Sequence, residues 1–585
     1  MANYKTPGAY VQEISTLPAS VAAVPTAVSG FTGYTEKAMI NGAQWNYTSG
    51  PAPAVRITSM LEYEQVFGLP YKENFKVTIS DPAPLQTQPQ IAVVRDTPAS
   101  AKNYILYYQL QMFFSNGGGV CWIASVGDYS SAIDKSKLIG GLGLFEAIDE
   151  VTLLLAPEAI SLTGTGFRKE VNDAMLAQCA KLGDRFSVFD VYTTGNVNTD
   201  GTDFRNDDVG SDNLKFGAAY YPSLNSSLNY YYSDDEVLID DTRTSPVYDT
   251  FPNNTLSTIN NGILDRLEIA ITGTSISNNK VFTINSITFK AKTSSPNFNA
   301  NEFLTVASDP AATATNLAAA LVRANMSNLI ISKDTTKVGI RATSLGLAIG
   351  FTSDFDNTTF TPVAPGPLAG GLANSSDKEL YNRIAAVLDT YEVTLYPAPA
   401  MAGIYARVDN DRGVWQAPAN VGVFSVNSPS VLVTNTEQGD LNINSTSGKS
   451  INAIRRFTGK GNLVWGARTL AGNDNEWRYV NVRRLFLFME ESIQEATEFV
   501  VFEPNTAATW QKIKGMIESF LTSLWRDGAL AGATTKDAFF VEVGLGVTMT
   551  SDDILNGILN VRIGVAAVRP AEFIILKFSH KLQEA

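Results

Sequence analysis

Charged residues with a spacing that could support catalysis lie in one segment of the chain, MAGIYARVDNDRGVWQAPAN at residues 401–420. Arg407, Asp409, Asp411 and Arg412 stand there among apolar residues, next to Gly and Pro. An Asp-x-Asp pair could bind a metal ion or act as acid and base on a glycoside. A metal site needs more ligands than these two, and two carboxylates flanked by two arginines favour a salt-bridged loop. We therefore predict a structural role for the four charges, with a carboxylate-based hydrolase as the alternative.

The other motifs also argue against an enzyme. TSGKS at residues 446–450 resembles the end of a phosphate-binding loop, but the glycine required five positions before Gly448 is Ile443. NGGGVCW at 116–122 precedes a strand, whereas phosphate loops follow a strand and open a helix, so a tight turn is predicted. The single histidine, His580, excludes Ser-His-Asp and Cys-His catalysis and His-rich zinc sites. We expect no catalytic, cofactor-binding or metal-binding residues, and no cofactor.

Composition bounds the class of protein. A chain of 585 residues has room for about three to four domains. Charged residues make up only 17%, which favours a surface partly covered by partners. Cys121 and Cys179 stand in apolar contexts and indicate core packing rather than a disulfide framework. No signal-like start and no run of 18 apolar residues is found, so we expect a soluble protein made in the cytosol, without membrane insertion.

Charge is distributed unevenly along the chain. The net charge of -14 argues against direct binding of nucleic acid, which needs a surplus of Lys and Arg. Residues 451–585 contain 15 basic and 15 acidic residues, whereas the first 450 contain 29 and 43. The C-terminal quarter is therefore electrically balanced, and the acidic excess belongs to the rest.

The first half alternates strand and helix patterns. VCWIASVG (120–127), EVTLLLAP (150–157) and SVFDV (187–191) read as buried strands, and a helical pattern from Lys169 precedes the last of them. This alternation predicts an α/β layer. The polar, Asp- and Asn-rich residues 192–215 are typical of an exposed loop.

Two later regions differ in composition. Residues 253–372 are rich in Thr, Ser, Asn and β-branched residues, which predicts a mostly β insertion with one helix at about 313–325. In the last third, residues 481–499 and 507–526 read as amphipathic helices, the second capped by Asn505 or Thr506 and ended by Gly528. Its basic side chains, Lys512, Lys514 and Arg526, fit either a solvated face or a docking surface.

The two ends of the chain read as strands without partners. Residues 1–25 are β-prone but too poor in apolar bulk to form a core, so we expect an extended arm that pairs elsewhere. ILNVRIGVAAVRP and AEFIILKFSHK predict two strands separated by Pro570, the second forming the C-terminal tail.

Seven motifs, taken in order, resemble the contractile tail sheath protein family of myophage tails, R-type tailocins and related contractile injection systems. The similarity covers roughly 1–240 and 373–585, and the 253–372 region resembles one of the family's variable surface insertions. The motifs are TPGAYVQEI, FFSNGGGVCWIASVG, GAAYYPSL, PAPAMAGIYARVDNDRGVWQAPAN, RRLFLFMEESI, VFEPNTAATW and VRPAEFIILKFSHK.

The resemblance implies an α+β multidomain fold with a subtilisin-like but non-catalytic α/β sheath domain. It implies a linker arm (1–25), an α/β middle domain (26–252 and 373–405), a surface insertion (253–372), a tube-facing C-terminal domain (406–569) and a linker strand (570–585). The two arms would add strands to neighbouring subunits, and the 507–526 helix would touch the inner tube. The implied contacts are strand exchange by Tyr10, Val11, Ile14, Phe573, Ile575 and Phe578, and tube contact by Lys512, Lys514 and Arg526.

The implied function is mechanical. Stacked hexameric rings would surround a tube in a virion tail or another contractile particle, and contract to drive the tube through a target envelope. The implied partners are further copies of the chain, the inner tube protein, and baseplate and tail terminator proteins. A glycan hydrolase or carbohydrate-binding protein remains the alternative, and the insertion alone could bind glycans on a mechanical particle.

Overall fold

The computed structural model of the protein separates the chain into two compact units. The first contains residues 1–70, 102–228 and 393–585, and the second contains 71–101 and 229–392. The second unit is therefore wider than the predicted 253–372 insertion. The structure describes residues 21–84, 86–95, 104–244, 255–261, 266–271, 278–306, 309–324, 326, 329–334, 336–342, 351–353, 360–363 and 378–575.

An eight-stranded sheet forms the centre of the first unit. Its strands are Ser29–Thr35 (β1), Val55–Ile57 (β2), Cys121–Asp128 (β3), Leu153–Leu155 (β4), Phe186–Asp190 (β5), Gly217–Tyr221 (β6), Ile451–Phe457 (β7) and Gly461–Val464 (β8). Their order is β8-β7-β6-β5-β4-β1-β3-β2, and the six inner strands are parallel. The edge strands β2 and β8 run antiparallel to their neighbours. Strands β1, β4 and β6 are buried at every position, as is typical of a parallel sheet with both faces covered.

Four long helices accompany this sheet. They are Leu106–Ser115 (α1), Lys135–Leu144 (α2), Phe167–Leu182 (α3) and Ala398–Arg412 (α4). Helices α1 and α4 approach closely at Gly403, where a Cβ would lie 2.3 Å from the carbonyl oxygen of Phe113. Helix α4 ends at Gly413, whose φ of 93° is open to glycine at little steric cost. Shorter helices are Met60–Phe67, Val197–Asp203 and Asn435–Asn442.

The predicted exposed loop at 192–215 is wrong. The segment contains the helix Val197–Asp203 followed by a wider helical turn, Phe204–Asp208. Asp200 is buried and accepts hydrogen bonds from the Thr194 amide and, at 2.9 Å, from the Tyr221 hydroxyl. The polar composition suggested exposure to solvent, but the Asp200 carboxylate is hydrogen-bonded inside the fold to a backbone amide and a tyrosine hydroxyl.

The C-terminal part of the first unit has its own core. Helices Val480–Thr497 (α5) and Ala507–Arg526 (α6) pack with a two-stranded antiparallel sheet, Phe539–Val543 (β9) and Val561–Val565 (β10). The α6 face contains Ile513, Met516, Ile517, Phe520, Leu521 and Leu524, all buried. The predicted helices are therefore present, with Gly528 just past the end of α6 at φ 86°. Short helices Thr535–Ala538 and Ser551–Leu555 connect these elements.

The second unit is mostly β. A three-stranded sheet contains Phe75–Ser80, Gln90–Arg95 and Leu238–Asp241 and shares a core with the helices Leu256–Asn261 and Lys378–Leu388. Another core contains the helix Pro310–Arg323, close to the predicted 313–325. Two four-stranded sheets complete the unit, with strands Arg266–Ile271, Leu329–Asp334, Lys337–Ala342 and Phe360–Val363 in one and Val281–Ile284, Ile287–Lys292, Glu302–Leu304 and Phe351–Ser353 in the other.

Smaller strands lie outside these sheets. Leu224–Asn229, Glu392–Leu395 and Val426–Pro429 form a three-stranded sheet, and Met39–Ile40 pairs with Ala43–Gln44. Within the described ranges, no helix is both long enough and apolar enough to cross a membrane.

Candidate functional site

The charged segment of the sequence lies on the last turns of α4, not in a loop as predicted. Asp409 is bound by Arg484 of α5 through two hydrogen bonds, of 2.5 Å and 2.9 Å, from the guanidinium to the two carboxylate oxygens. The Thr26 hydroxyl donates to the same carboxylate at 2.6 Å. Only 7% of the Asp409 side chain and 3% of the Arg484 side chain are exposed. The carboxylate is thus fully engaged in a buried ion pair.

The other three charges of the segment take no part in the Asp409–Arg484 pair. Arg407 donates to the Gly422 carbonyl at 2.7 Å and lies 4.4 Å from the centre of the Phe424 ring. Asp411 and Arg412 are exposed, and Arg412 bonds Gln416 of the following turn. Because Asp409 pairs with Arg484 and Asp411 faces solvent, the geometry supports no paired-carboxylate site.

A second buried arginine holds the chain near its C-terminus. Arg468, 3% exposed, donates to both oxygens of Glu572, at 2.6 Å from Nη2 and 3.0 Å from Nε. Asn442 Nδ2 donates to the same carboxylate at 2.7 Å, and the Tyr479 hydroxyl at 3.1 Å. Burial tends to raise the pKa of Glu572, but these hydrogen bonds outweigh it and leave the pKa below its ordinary value.

The residues that follow this contact are open to solvent. Phe573 and Ile575 are 68% and 80% exposed, and Ile574 between them is also exposed. Residues Ala571–Ile575 carry no strand in the structure. Phe578, like Tyr10, Val11 and Ile14, lies outside the described residues. The predicted C-terminal strand is therefore not formed over Ala571–Ile575, where Phe573, Ile574 and Ile575 are three consecutive exposed apolar side chains.

An apolar groove of about 1130 Å³ opens between α5, α6 and β10. Val561, Ile563 and Val565 line it from alternate positions of β10, while Arg562 points to the other face and pairs with Glu542. Among the described residues, β10 pairs only with β9, so its second edge has no strand beside it. The helices supply the opposite wall, with Phe486, Met489, Ile493, Ile513, Ile517 and Leu521.

The basic side chains of α6 lie away from its buried face. Lys512 is exposed, with its amine 4.2 Å from the centre of the Phe499 ring. Lys514 lies 3.8 Å from Glu518 one turn later, and Arg526 is exposed in the last turn. These cations therefore face solvent without strong ion pairing.

An acidic cluster on α5 was not found from the sequence. Carboxylate oxygens of Asp149, Glu491 and Glu495 lie within 4.8 Å of one another. Partial burial, and then the negative charges of Asp184, Asp149 and Glu495, raise the pKa of Glu491 to about 8. Glu491 and Glu495 are one turn apart on α5, but Asp149 comes from a distant part of the chain, so only the fold completes the cluster.

Comparisons with known proteins define the class first. The chain has the fold of contractile sheaths. Its structural alignment with the PVC sheath of an extracellular contractile injection system, in the contracted state, covers 99% of this chain and 99% of that one, at a TM-score of 0.52 and 24% identity. The helical sheath of the anti-feeding prophage in its contracted state is equally similar, with a TM-score of 0.52, 24% identity and coverage of 99% and 100%. The predicted mixed α/β multidomain fold is confirmed at this level.

The sequence comparisons then name the family that parts of the chain resemble. Residues 472–581 match the family model of the phage tail sheath C-terminal domain. The tail sheath protein of Burkholderia phage BcepMu is 31% identical over 22% of this chain and 28% of its own length, and that of Vibrio phage KVP40 is 26% identical over 21% and 18%. The alignments thus span less than a third of these curated relatives. The predicted resemblance to the contractile tail sheath family is confirmed, and the family that these matches name is structural, not enzymatic.

Proposed function

We propose that this chain is the subunit of a contractile sheath that polymerises around an inner tube. The groove beside β10 is the observation that carries the proposal, because it presents an unpaired strand edge above an apolar floor. A single copy leaves Val561, Ile563 and Val565 incompletely covered, and an added strand would cover them. A structural polymer of this kind needs such a self-complementary surface.

The strand that fills the groove would come from a neighbouring copy. In β-augmentation, main-chain hydrogen bonds supply affinity, and pockets for alternate side chains supply specificity. Phe573 and Ile575 stand two residues apart, as on one face of a strand, and are exposed as donors of such contacts would be. Tyr10, Val11 and Ile14 of the N-terminal arm and Phe578 of the C-terminal arm are proposed to complete the exchange.

The α6 surface is proposed to contact the tube. Lys512, Lys514 and Arg526 are the cations that this helix offers to an acidic partner, Lys512 and Arg526 on one side of the helix and Lys514 on another. Its position in the charge-balanced quarter of the chain fits an inner location, while the acidic remainder would face outwards. The second compact unit would then form a surface domain.

The assembly would work as a bistable polymer. Stacked hexameric rings, held extended on the tube, would repack into a shorter and wider sheath with better satisfied interfaces, and would drive the tube through a target envelope. Baseplate and tail terminator proteins are the further partners of this proposal. The particle would be a phage tail or a related contractile machine, and the proposed α/β middle domain would be subtilisin-like in fold only.

Electron microscopy of the purified full chain, across a range of concentrations, tests the proposal. Hollow striated cylinders are expected, either from the chain alone or on co-expression with a candidate tube protein. A protein that stays monomeric under both conditions would refute the polymer.

Deletion of residues 1–20 tests the strand exchange specifically. We expect the variant to fold as the parent does, since the described core begins at Val21, but to form no ordered cylinders. The control is Asp411→Ala, an exposed substitution outside the arms and the groove, which should leave assembly unchanged. Intact cylinders from the deletion variant would remove the N-terminal arm from the mechanism.

A further inference from the structure

We infer that the two buried arginine–carboxylate pairs, Asp409–Arg484 and Arg468–Glu572, anchor the roots of the two linker arms. This inference rests on the proposed function, because an anchor matters only if the arms carry tension between subunits. Each pair lies where the described chain emerges from one arm. Each joins that point to elements of the first unit's main body.

At the N-terminal root, one residue contacts both members of a pair. The Thr26 hydroxyl donates to Asp409 at 2.6 Å, and the Thr26 carbonyl accepts from Arg484 Nη2 at 2.7 Å. Two residues earlier, the Val24 amide donates to the Ser492 hydroxyl of α5 at 3.3 Å, and the Val24 side chain is buried. The arm is thus tied to α4 and α5 three residues before β1 begins at Ser29.

At the C-terminal root, the contacts converge on one carboxylate. Glu572 accepts from Arg468, Asn442 and Tyr479, which belong to the segment after β8, the end of the Asn435–Asn442 helix and the residue before α5. None of these three residues lies on the β9–β10 sheet. Tension on the exposed Phe573–Ile575 segment would therefore pass into the main body and not into the receiving sheet.

The chemistry of the pairs suits this role. Apolar contacts can slide because they are non-directional, whereas a guanidinium that grips both oxygens of a carboxylate fixes position and direction. Breaking either pair would leave an unpaired arginine whose side chain is only 3% exposed. The cost of that buried charge opposes release of the arm. Without an anchor, a pull on an arm would peel β1 from Ser29 or open the bridge between Ala567 and Leu530 one bond at a time.

Hydrogen–deuterium exchange on full-length monomers tests the anchors directly. Glu572→Gln should raise exchange about tenfold or more at the Ala566 and Val568 amides, which are hydrogen-bonded to the backbone, since hydrogen bonds to charged groups contribute more than neutral ones. Thr26→Val, which deletes one hydroxyl and keeps the Asp409–Arg484 pair, should raise exchange in 21–28 about fivefold. The matched control is Glu542→Gln, which breaks an exposed carboxylate–arginine pair on β9 and should change neither region.

Assembly supplies the second readout. Both anchor variants should raise the protein concentration needed for cylinders about tenfold, whereas Glu542→Gln should not. Unchanged exchange at both roots in folded variants, or an equal change in the control, would overturn the inference. If Glu572→Gln does not fold, Tyr479→Phe removes one of the donors with less disruption and decides the same question. A parent chain that never polymerises would refute the proposed function, while the exchange measurement would still decide the anchors.

Discussion

Replacement of Asp409 by alanine separates a structural charge from a catalytic one. The change leaves the guanidinium of Arg484 buried, with the Thr26 carbonyl and the face of Tyr405, 4.6 Å away, as its remaining partners. Removing one member of a buried ion pair costs about 3–5 kcal/mol because the other charge stays desolvated. Asp411 is exposed two residues later on the same helix, so Asp411→Ala should change stability by no more than about 0.5 kcal/mol.

Urea denaturation followed by tryptophan fluorescence measures both variants. Trp415 follows α4 and its carbonyl accepts from Asn481 of α5, so its fluorescence should report loss of packing between the two helices that carry the pair. A double variant, Asp409→Leu with Arg484→Met, removes both charges and should recover about 1–3 kcal/mol relative to Asp409→Ala, since two apolar groups leave no unpaired ion.

Two outcomes would refute this reasoning. Equal stability of the Asp409 and Asp411 variants would show that the buried pair contributes nothing. A double variant less stable than Asp409→Ala would show that the lost contacts, and not the unpaired charge, set the cost. A hydrolase that used both carboxylates would instead predict loss of glycan cleavage with little change in stability.

Three further outcomes follow from the described contacts. Glu491→Gln should flatten the pH dependence of stability. Because the pKa of Glu491 is raised in the folded state, the stabilising contribution of its carboxyl is complete below about pH 4.5 and is lost as pH rises through about 8. Thermal melts at pH 5 and 8.5 should record a loss of about 1–2 kcal/mol after allowance for the partial exposure of the side chain, and an equally steep profile in the variant would contradict this. Lys512→Glu with Lys514→Glu should weaken co-sedimentation with the tube protein while sparing sheath polymers, and unchanged tube binding would remove both residues from that surface. Leu317→Ala, at a fully buried position of the second unit, should lower that unit's stability by about 2–5 kcal/mol without preventing cylinders, and loss of assembly would show that the unit is more than a surface addition.

Regular patterns in the sequence located a part of the fold. The strands at 121–128 and 186–190 and helices α3, α5 and α6 were predicted because apolar periodicity is imposed locally by a buried face. The prediction of an exposed loop at 192–215 was wrong because composition indicates only average exposure. Asp200 and Arg205 are buried there, and specific hydrogen bonds satisfy their charged groups. The wider second unit was missed because the strand Phe75–Ser80 pairs with Leu238–Asp241, which follows much later in the chain.

The site was only half visible in the sequence. Asp409 was singled out, but its partner Arg484 is 75 residues away, and no local spacing connects them. Glu572 stood inside a predicted strand and gave no sign of its contact with Arg468, 104 residues earlier. Such pairs are properties of the tertiary fold, whereas the family resemblance depended on motifs that are contiguous in the chain.

The anchors and the groove share helix α5 but are built from different residues, and this arrangement has a mechanical consequence. The groove is lined by α5, α6 and β10, whereas Arg484 of α5 binds Asp409 of α4, and Arg468 binds Glu572 outside the β9–β10 sheet. If a neighbour's arm fills the groove while the chain's own arms are held at the two pairs, each subunit is linked to others both through its groove and through its anchors. The pull on an arm is then borne by the pairs, and the strand added to β10 keeps its hydrogen bonds as the polymer repacks. A sheath could in this way change its radius and length without any subunit letting go of the next.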